Sequence, residues 1–275
     1  MKEIIDRVVG LGRSADHFGG ALWKRTEMGC SAMTERERKP LEAGTLVGGK
    51  YKVERFLFWD GRCNHYVATI IGSKGIYELR EFLNDQGIEV EREIIAKQLY
   101  HRGMVRRHDL LIEGNRSYIV LDYQEAPNLE NTRRILSDRD LFSIAHNLVD
   151  TLEYLHRHGI AHIDLSTRNI KDMGETQKIV DFTGCRVFSS PATDDLGEAR
   201  REDFLELVDL LERLMLNNMN ELGDSSLLQL VNGLEEMLDC PPLSAEDFKE
   251  RLSQCNPMEA NRGDDGGKVW VDTAV

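Results

Sequence analysis

The feature that most limits what this chain can fold into is a change of hydrophobic period near residue 124. Before it, β-formers cluster as Tyr51-Lys52-Val53, Tyr66 to Ile71 and Ile76 to Leu79, separated by Asp60-Gly61, Gly72 and Gly75. That pattern predicts a three-strand meander. A helix is expected at about 86–100, where Val90, Ile94, Ile95 and Leu99 fall near one face. Ser117 to Tyr123 reads as a buried strand leading into a polar connection with Pro127. Beyond that, Leu141, Ile144, Ala145, Leu148, Leu152 and Leu155 recur at helical spacing behind the N-cap candidate Ser137. Further helices are expected at about 201–216, 225–238 and 244–253. The result is an α+β chain with a small β-rich lobe carrying one helix, then a mainly helical lobe, with the cleft between them as the expected ligand site.

With 275 residues, 41% hydrophobic and 30% charged, the chain has enough apolar surface for one large core or two small ones. Its formal charge of −13 opposes nucleic-acid and anionic-membrane partners, since phosphate backbones select basic faces. Arg102, Arg106, Arg107, Arg133 and Arg134 read as solvated surface. No apolar run reaches the roughly 18 residues of a membrane span and no leader pattern opens the chain, so a cytoplasmic location is expected. Cys30, Cys63, Cys185, Cys240 and Cys255 are scattered and show no standard metal spacing. They are read as reduced thiols without a metal. Residues 1–40 and 256–275 are expected to be flexible extensions, and Met33 is an alternative start of translation.

The chemistry-bearing stretch is His162-Ile163-Asp164-Leu165-Ser166-Thr167-Arg168-Asn169, followed by Ile179-Val180-Asp181-Phe182. An Asp, an Asn five residues on and a second Asp suit a general base and two ligands for a hard cation in phosphoryl transfer. Each alone is also a common turn or cap residue, satisfied by backbone N–H groups. His162 reads as a packed structural residue, and His156 and His158 flank a helix end that favours them. His65 shows no ligand spacing.

On these residues, from Leu41-Glu42-Ala43-Gly44-Thr45-Leu46 to about 253, the chain resembles the protein-kinase family, and its opening is similar to that of bacterial Ser/Thr kinases. The resemblance implies a bilobal kinase-like fold, with lobes at 41–123 and 124–255, and ATP and Mg2+ as cofactors. It makes Asp164 the catalytic base and Asn169 and Asp181 the metal ligands. It puts Arg80 at the phosphate-binding strand position, with Glu93 as its helix partner and Glu89 as the alternative. Gly61 is what remains of the phosphate-covering loop, because the family's three glycine positions fall on Phe58, Asp60 and Cys63. An ordinary hairpin turn built on Asp60-Gly61 is the competing reading of that loop.

The departures have consequences. A planar guanidinium at Arg80 need not meet phosphate as an ammonium does, and an Asp in the loop adds repulsion. Ile163 stands where many kinases have Arg, which removes a partner for a phosphorylated activation loop. Thr183 replaces a Gly after Asp181-Phe182. If Asp203 is the Asp that clasps the catalytic loop, a shortened activation segment of about 20 residues remains. Neither the Ala-Pro-Glu motif nor its Arg partner, due near Pro242, is present. Three readings follow: a slow Ser/Thr kinase-like phosphotransferase acting on a protein, a pseudokinase scaffold, or a kinase for a small hydroxyl-bearing compound.

Overall fold

The computed structural model describes residues 39–82, 88–190, 193–218 and 224–255. The extensions expected at either end of the chain lie almost wholly outside them. Two compact units form. The first is the chain up to Thr132 together with Thr167–Ser189, and the second is Arg133–Ser166 together with the chain from Ser190. The segment holding Asn169 and Asp181 therefore packs with the strand-rich unit, whereas Asp164 belongs to the helical one.

The strand-rich unit is built on a six-stranded sheet of β1 (Leu46–Val47), β2 (Tyr51–Trp59), β3 (Cys63–Ile70), β4 (Ile76–Phe82), β5 (Arg107–Glu113) and β6 (Arg116–Asp122). The spatial order is β1-β2-β3-β4-β6-β5, and every neighbouring pair is antiparallel. The period of two divides the apolar residues between its faces. Val53, Tyr66, Ala68, Leu79 and Val120 fill one core cluster. Cys63, Phe82, Ile88, Val105, Ile119, Leu121 and Val180 fill the other. Each large apolar side chain buried there contributes about 1.5–3 kcal/mol.

The meander expected over 51–80 is β2-β3-β4. Strand β5 was not legible as a strand; its register with β6 pairs Glu113 with Arg116 across a two-residue Gly114-Asn115 turn, with Gly114 at φ +64°. Gly-Asn between two short runs was the available signal. The expected helix is shorter, α1 at Glu89–Ala96. Gln98 takes φ +53°, Leu99 N–H bonds the Ile94 carbonyl and Gln98 N–H that of Ile95, a Schellman ending without the usual Gly. A ribbon of Ile170–Asp172 paired with Gln177–Ile179 joins this unit through Ile179 N–H to the Gly103 carbonyl (2.8 Å) and Val105 N–H to that of Ile179 (3.1 Å).

The helical unit is organised by α2 (Asp138–Arg157). Ser137 caps it as expected. Its hydroxyl accepts the Asp140 N–H while the Asp140 carboxylate accepts that of Ser137, and the six stripe residues from Leu141 to Leu155 are buried. Against α2 pack α3 (Asp194–Asn218) and α5 (Ala245–Gln254), with α4 (Asp224–Asp239) beside both of these. Phe204 and Phe248 meet with ring centroids 5.8 Å apart. Helix α3 begins at Asp194, seven residues before its expected start, so Asp203 sits within it. Only residues 182–193 separate Asp181 from that helix. No helix among the described residues is long and apolar enough to cross a membrane.

Candidate functional site

In the strand-rich unit the site is assembled on β3, β4 and the segment after the ribbon. Glu78 and Arg80 lie two apart on β4, hence on one face. Arg80 Nε donates to Glu78 Oε1 at 2.7 Å, and Arg80 Nη1 lies 3.7 Å from Asp181 Oδ1. The guanidinium is buried. Burial alone would lower the Arg80 pKa, but Glu78 and Asp181 outweigh it and keep the group charged. Burial would likewise raise Glu78, yet Arg80 and His65 hold it well below the usual carboxylate range.

Asp181 follows the same logic. Burial pushes its pKa up, while Arg80, the Thr183 N–H and hydroxyl, and Arg62 together bring it below its ordinary value. Thr183 donates from N–H (3.1 Å) and Oγ1 (2.9 Å) to Asp181 Oδ1. Arg62 donates to Thr183 Oγ1 at 2.7 Å and stands 3.9 Å from Asp181 Oδ2. The unusual Thr183 thus orients the carboxylate. Val180 N–H bonds the Asn169 carbonyl at 2.9 Å, so the ribbon delivers Asn169 and Asp181 side by side along the chain. Lys171, a cation the sequence reading passed over, is half-buried. Its pKa is lowered by burial, and Nζ donates to the Ala126 carbonyl at 2.7 Å.

The expected Arg80–Glu93 pair does not form. Glu93 pairs with Lys97 one turn on, at 2.5 Å. The inward carboxylate of α1 is Glu91, which takes Arg107 Nε at 2.8 Å and Nη2 at 3.2 Å, with both side chains 1% exposed. Arg107 also donates to the Val105 and Val180 carbonyls and stacks over Phe182, 4.2 Å from its ring centre. Arg107, read as surface, is therefore the buried cation that ties α1 to the Asp181-Phe182 segment. The physical reason is strand β5, which carries it inward.

Gly61 has φ +96°, so the turn requires glycine. Asp60 Oδ1 accepts the N–H groups of both Arg62 (2.8 Å) and Cys63 (2.9 Å). Two amides that a phosphate-cradling loop would present are taken by the loop's own carboxylate, which favours the hairpin-turn reading.

In the helical unit, Asp164 lies on the loop after Gly159. Asp203, fully buried, accepts the N–H groups of His162 (3.0 Å) and Ile163 (2.6 Å), and its Oδ2 is 2.6 Å from His156 Nε2. Asp203 thereby clasps the loop, and Ile163 is held at φ +44°, which is costly for a β-branched residue. Glu206, one turn further along α3, accepts the Leu165 N–H at 2.7 Å. Burial, with repulsion from Asp203, Glu202 and Asp164, outweighs that bond and pushes Glu206 up to about 8. His162 is buried, as expected of a structural residue.

The donor chemistry at Asn169 and Asp181, an amide and an ionised carboxylate on adjoining chain segments, fits a hard divalent cation that prefers oxygen.

Comparison with known proteins bears on the family and the fold. Residues 64–200 match the model of the protein kinase domain. The chain is 22% identical over 184 residues to "Probable serine/threonine-protein kinase YbdM" of Bacillus subtilis, covering 63% of this chain and 72% of that protein. It is 30% identical over 155 residues to the serine/threonine-protein kinase cds1 of Schizosaccharomyces pombe, spanning 54% of this chain but only 33% of the relative. A Mycobacterium tuberculosis PknI kinase domain superposes with a TM-score of 0.61 at 17% identity, over 79% of this chain and all of that one.

Proposed function

From the premise that this chain is a divergent protein-kinase-like protein of the bacterial Ser/Thr type, we propose that it transfers the ATP γ-phosphate to a Ser or Thr hydroxyl of a protein. Asp164 accepts the hydroxyl proton. Asn169 and Asp181 would hold the cation through amide and carboxylate oxygens, and Arg80 keeps Asp181 ionised. Magnesium, when bound with ATP, supplies the charge that neutralises the β- and γ-phosphates. The observation that carries this reading is the Asp181 carboxylate, braced by Arg80, Arg62 and Thr183 beside the Asn169 segment.

Slow chemistry follows from the same site. Arg80 is bonded to Glu78, and the turn amides are bonded to Asp60, so neither is poised for phosphate. Those two engagements favour a nucleotide-binding pseudokinase as the second reading. The short segment 182–193 offers little platform for a peptide, which favours a small hydroxyl-bearing acceptor as a third.

A thermal-shift titration with ATP and Mg2+ tests the binding step, because a ligand of the native state raises the melting temperature as its concentration rises. A saturable rise in the parent that is lost in Asp181→Asn is expected. No rise in the parent overturns the proposal, and a rise without phosphate turnover favours the second reading.

A further inference from the structure

We infer that Asp60, Cys63 and His65 form a binding site for a thiophilic divalent cation of the zinc class, separate from the oxygen donors Asn169 and Asp181. The turn and the first residues of β3 bring three unlike donors together. His65 Nε2 lies 3.0 Å from Asp60 Oδ2 and 3.3 Å from Cys63 Sγ, and Cys63 Sγ lies 3.7 Å from Asp60 Oδ2. Around a tetrahedral zinc with ordinary Zn–S, Zn–N and Zn–O bonds, the edges between such donors are about 3.3–3.6 Å. The triangle therefore needs adjustments of only a few tenths of an ångström.

The arrangement is braced in the manner of a ligand set. Cys63 and His65 are two apart on a strand, so they share a face. His65 Nδ1 lies 2.9 Å from Glu78 Oε1, and with a proton on that nitrogen Nε2 is free to ligate beside the sulfur and the Asp60 oxygen. A carboxylate on the far nitrogen is the usual support of a metal-bound histidine. Phe58 stacks on the imidazole at 4.2 Å between centres and prevents it from swinging away. Asp60 is held by the two turn amides on Oδ1, which turns Oδ2 toward the other donors. Cys63 and His65 are buried while the Asp60 side chain is 31% exposed, so a fourth position opens toward solvent for water.

Charge and softness select the ion. A thiolate and an imidazole favour zinc-like metals over Mg2+ or Ca2+. On binding, the Cys63 S–H bond breaks, sulfur keeps the electron pair for the metal, and the proton leaves to solvent. A dication with the Cys63 thiolate and Asp60 carboxylate is neutral as a unit, so it does not upset the Glu78–Arg80–Asp181 cluster beside it. The spacing Asp60-x-x-Cys63-x-His65 matches no standard ligand motif, so the cysteines and His65 were read as metal-free from sequence. An ion there pins the Asp60-Gly61 turn and, through Arg62 and Glu78, steadies both guanidinium groups next to Asp181.

Cobalt(II) is the probe. The full chain, reduced and freed of metal with a chelator, is titrated with Co2+ and followed by absorption. One equivalent is expected to give a thiolate-to-cobalt charge-transfer band with tetrahedral visible bands. Zn2+ then abolishes them and excess Mg2+ does not. Cys63→Ser is expected to remove the charge-transfer band and Cys185→Ser to keep it. Glu78→Gln is expected to weaken binding about 10–100-fold, as losses of such supporting carboxylates do. Absence of the band in the folded parent at saturating Co2+, or its persistence in Cys63→Ser, overturns the inference. The parent measurement decides even if a variant fails to fold, and no step of it depends on ATP or phosphate transfer.

Discussion

Replacing Glu91 with Ala tests the internal wiring most sharply. The substitution leaves Arg107 buried, with its charge facing Phe182 and two carbonyl groups that cannot neutralise it. Removing one partner of a buried ion pair costs about 3–5 kcal/mol, because the survivor keeps its desolvation penalty. Against a total stability of about 5–15 kcal/mol for a domain, that is a large fraction. In urea, with m of about 2 kcal/mol/M, the midpoint should fall by about 1.5–2.5 M. Arg107→Met should be comparably damaging. The double variant Glu91→Ala/Arg107→Met removes both charges, and it should recover most of the loss, giving a coupling of at least about 2 kcal/mol in the double-mutant cycle. Losses below about 1 kcal/mol for the single variants, or losses that simply add, would refute the pairing.

Two further outcomes follow from other buried charges. Glu206 has its folded pKa raised from an ordinary 4.5 to about 8, so its protonation stabilises the fold fully below pH 4.5, and that contribution is lost as pH rises toward 8. Glu206→Gln should therefore flatten the stability–pH curve in that window by up to a few kcal/mol at about 1.4 kcal/mol per pKa unit; parallel curves for parent and variant in pH-dependent urea unfolding contradict this. Arg80→Lys keeps the charge but not the fork that reaches Glu78 and Asp181 together. A loss of about 1–3 kcal/mol is expected by thermal or urea unfolding, and parent-like stability contradicts it.

The sequence made some elements legible because local signals and tertiary demands agreed. Helix α2 had a cap, a box partner and an uninterrupted apolar stripe, and Asp164, Asn169 and Asp181 stood out by spacing. Glu91 was hidden for a different reason. Periodicity identified Val90 and Ile94 as inward but could not choose among Glu89, Glu91 and Glu93 without knowing that β5 brings Arg107 beneath the helix. Arg80 was rightly placed on β4, yet its real partner, Glu78, was visible from the period of two alone. Helix α1 ended early because Gln98 adopts a left-handed backbone that nothing in its side chain advertises. Asp60 was read for its charge and as part of an Asp60-Gly61 hairpin turn. That its carboxylate would tie up the turn amides and face Cys63 and His65 required the hairpin geometry itself.

The central claim is phosphoryl transfer carried by Asp164 with Mg2+ held at Asn169 and Asp181. Transfer from radiolabelled ATP to Ser or Thr, measured with and without Mg2+ in the parent and in Asp164→Asn, tests it most directly. Slow, Mg2+-dependent transfer that falls at least about 100-fold in the variant is the expected result. No transfer by a parent saturated with Mg2+ and ATP, or transfer indifferent to Asp164→Asn, would contradict it.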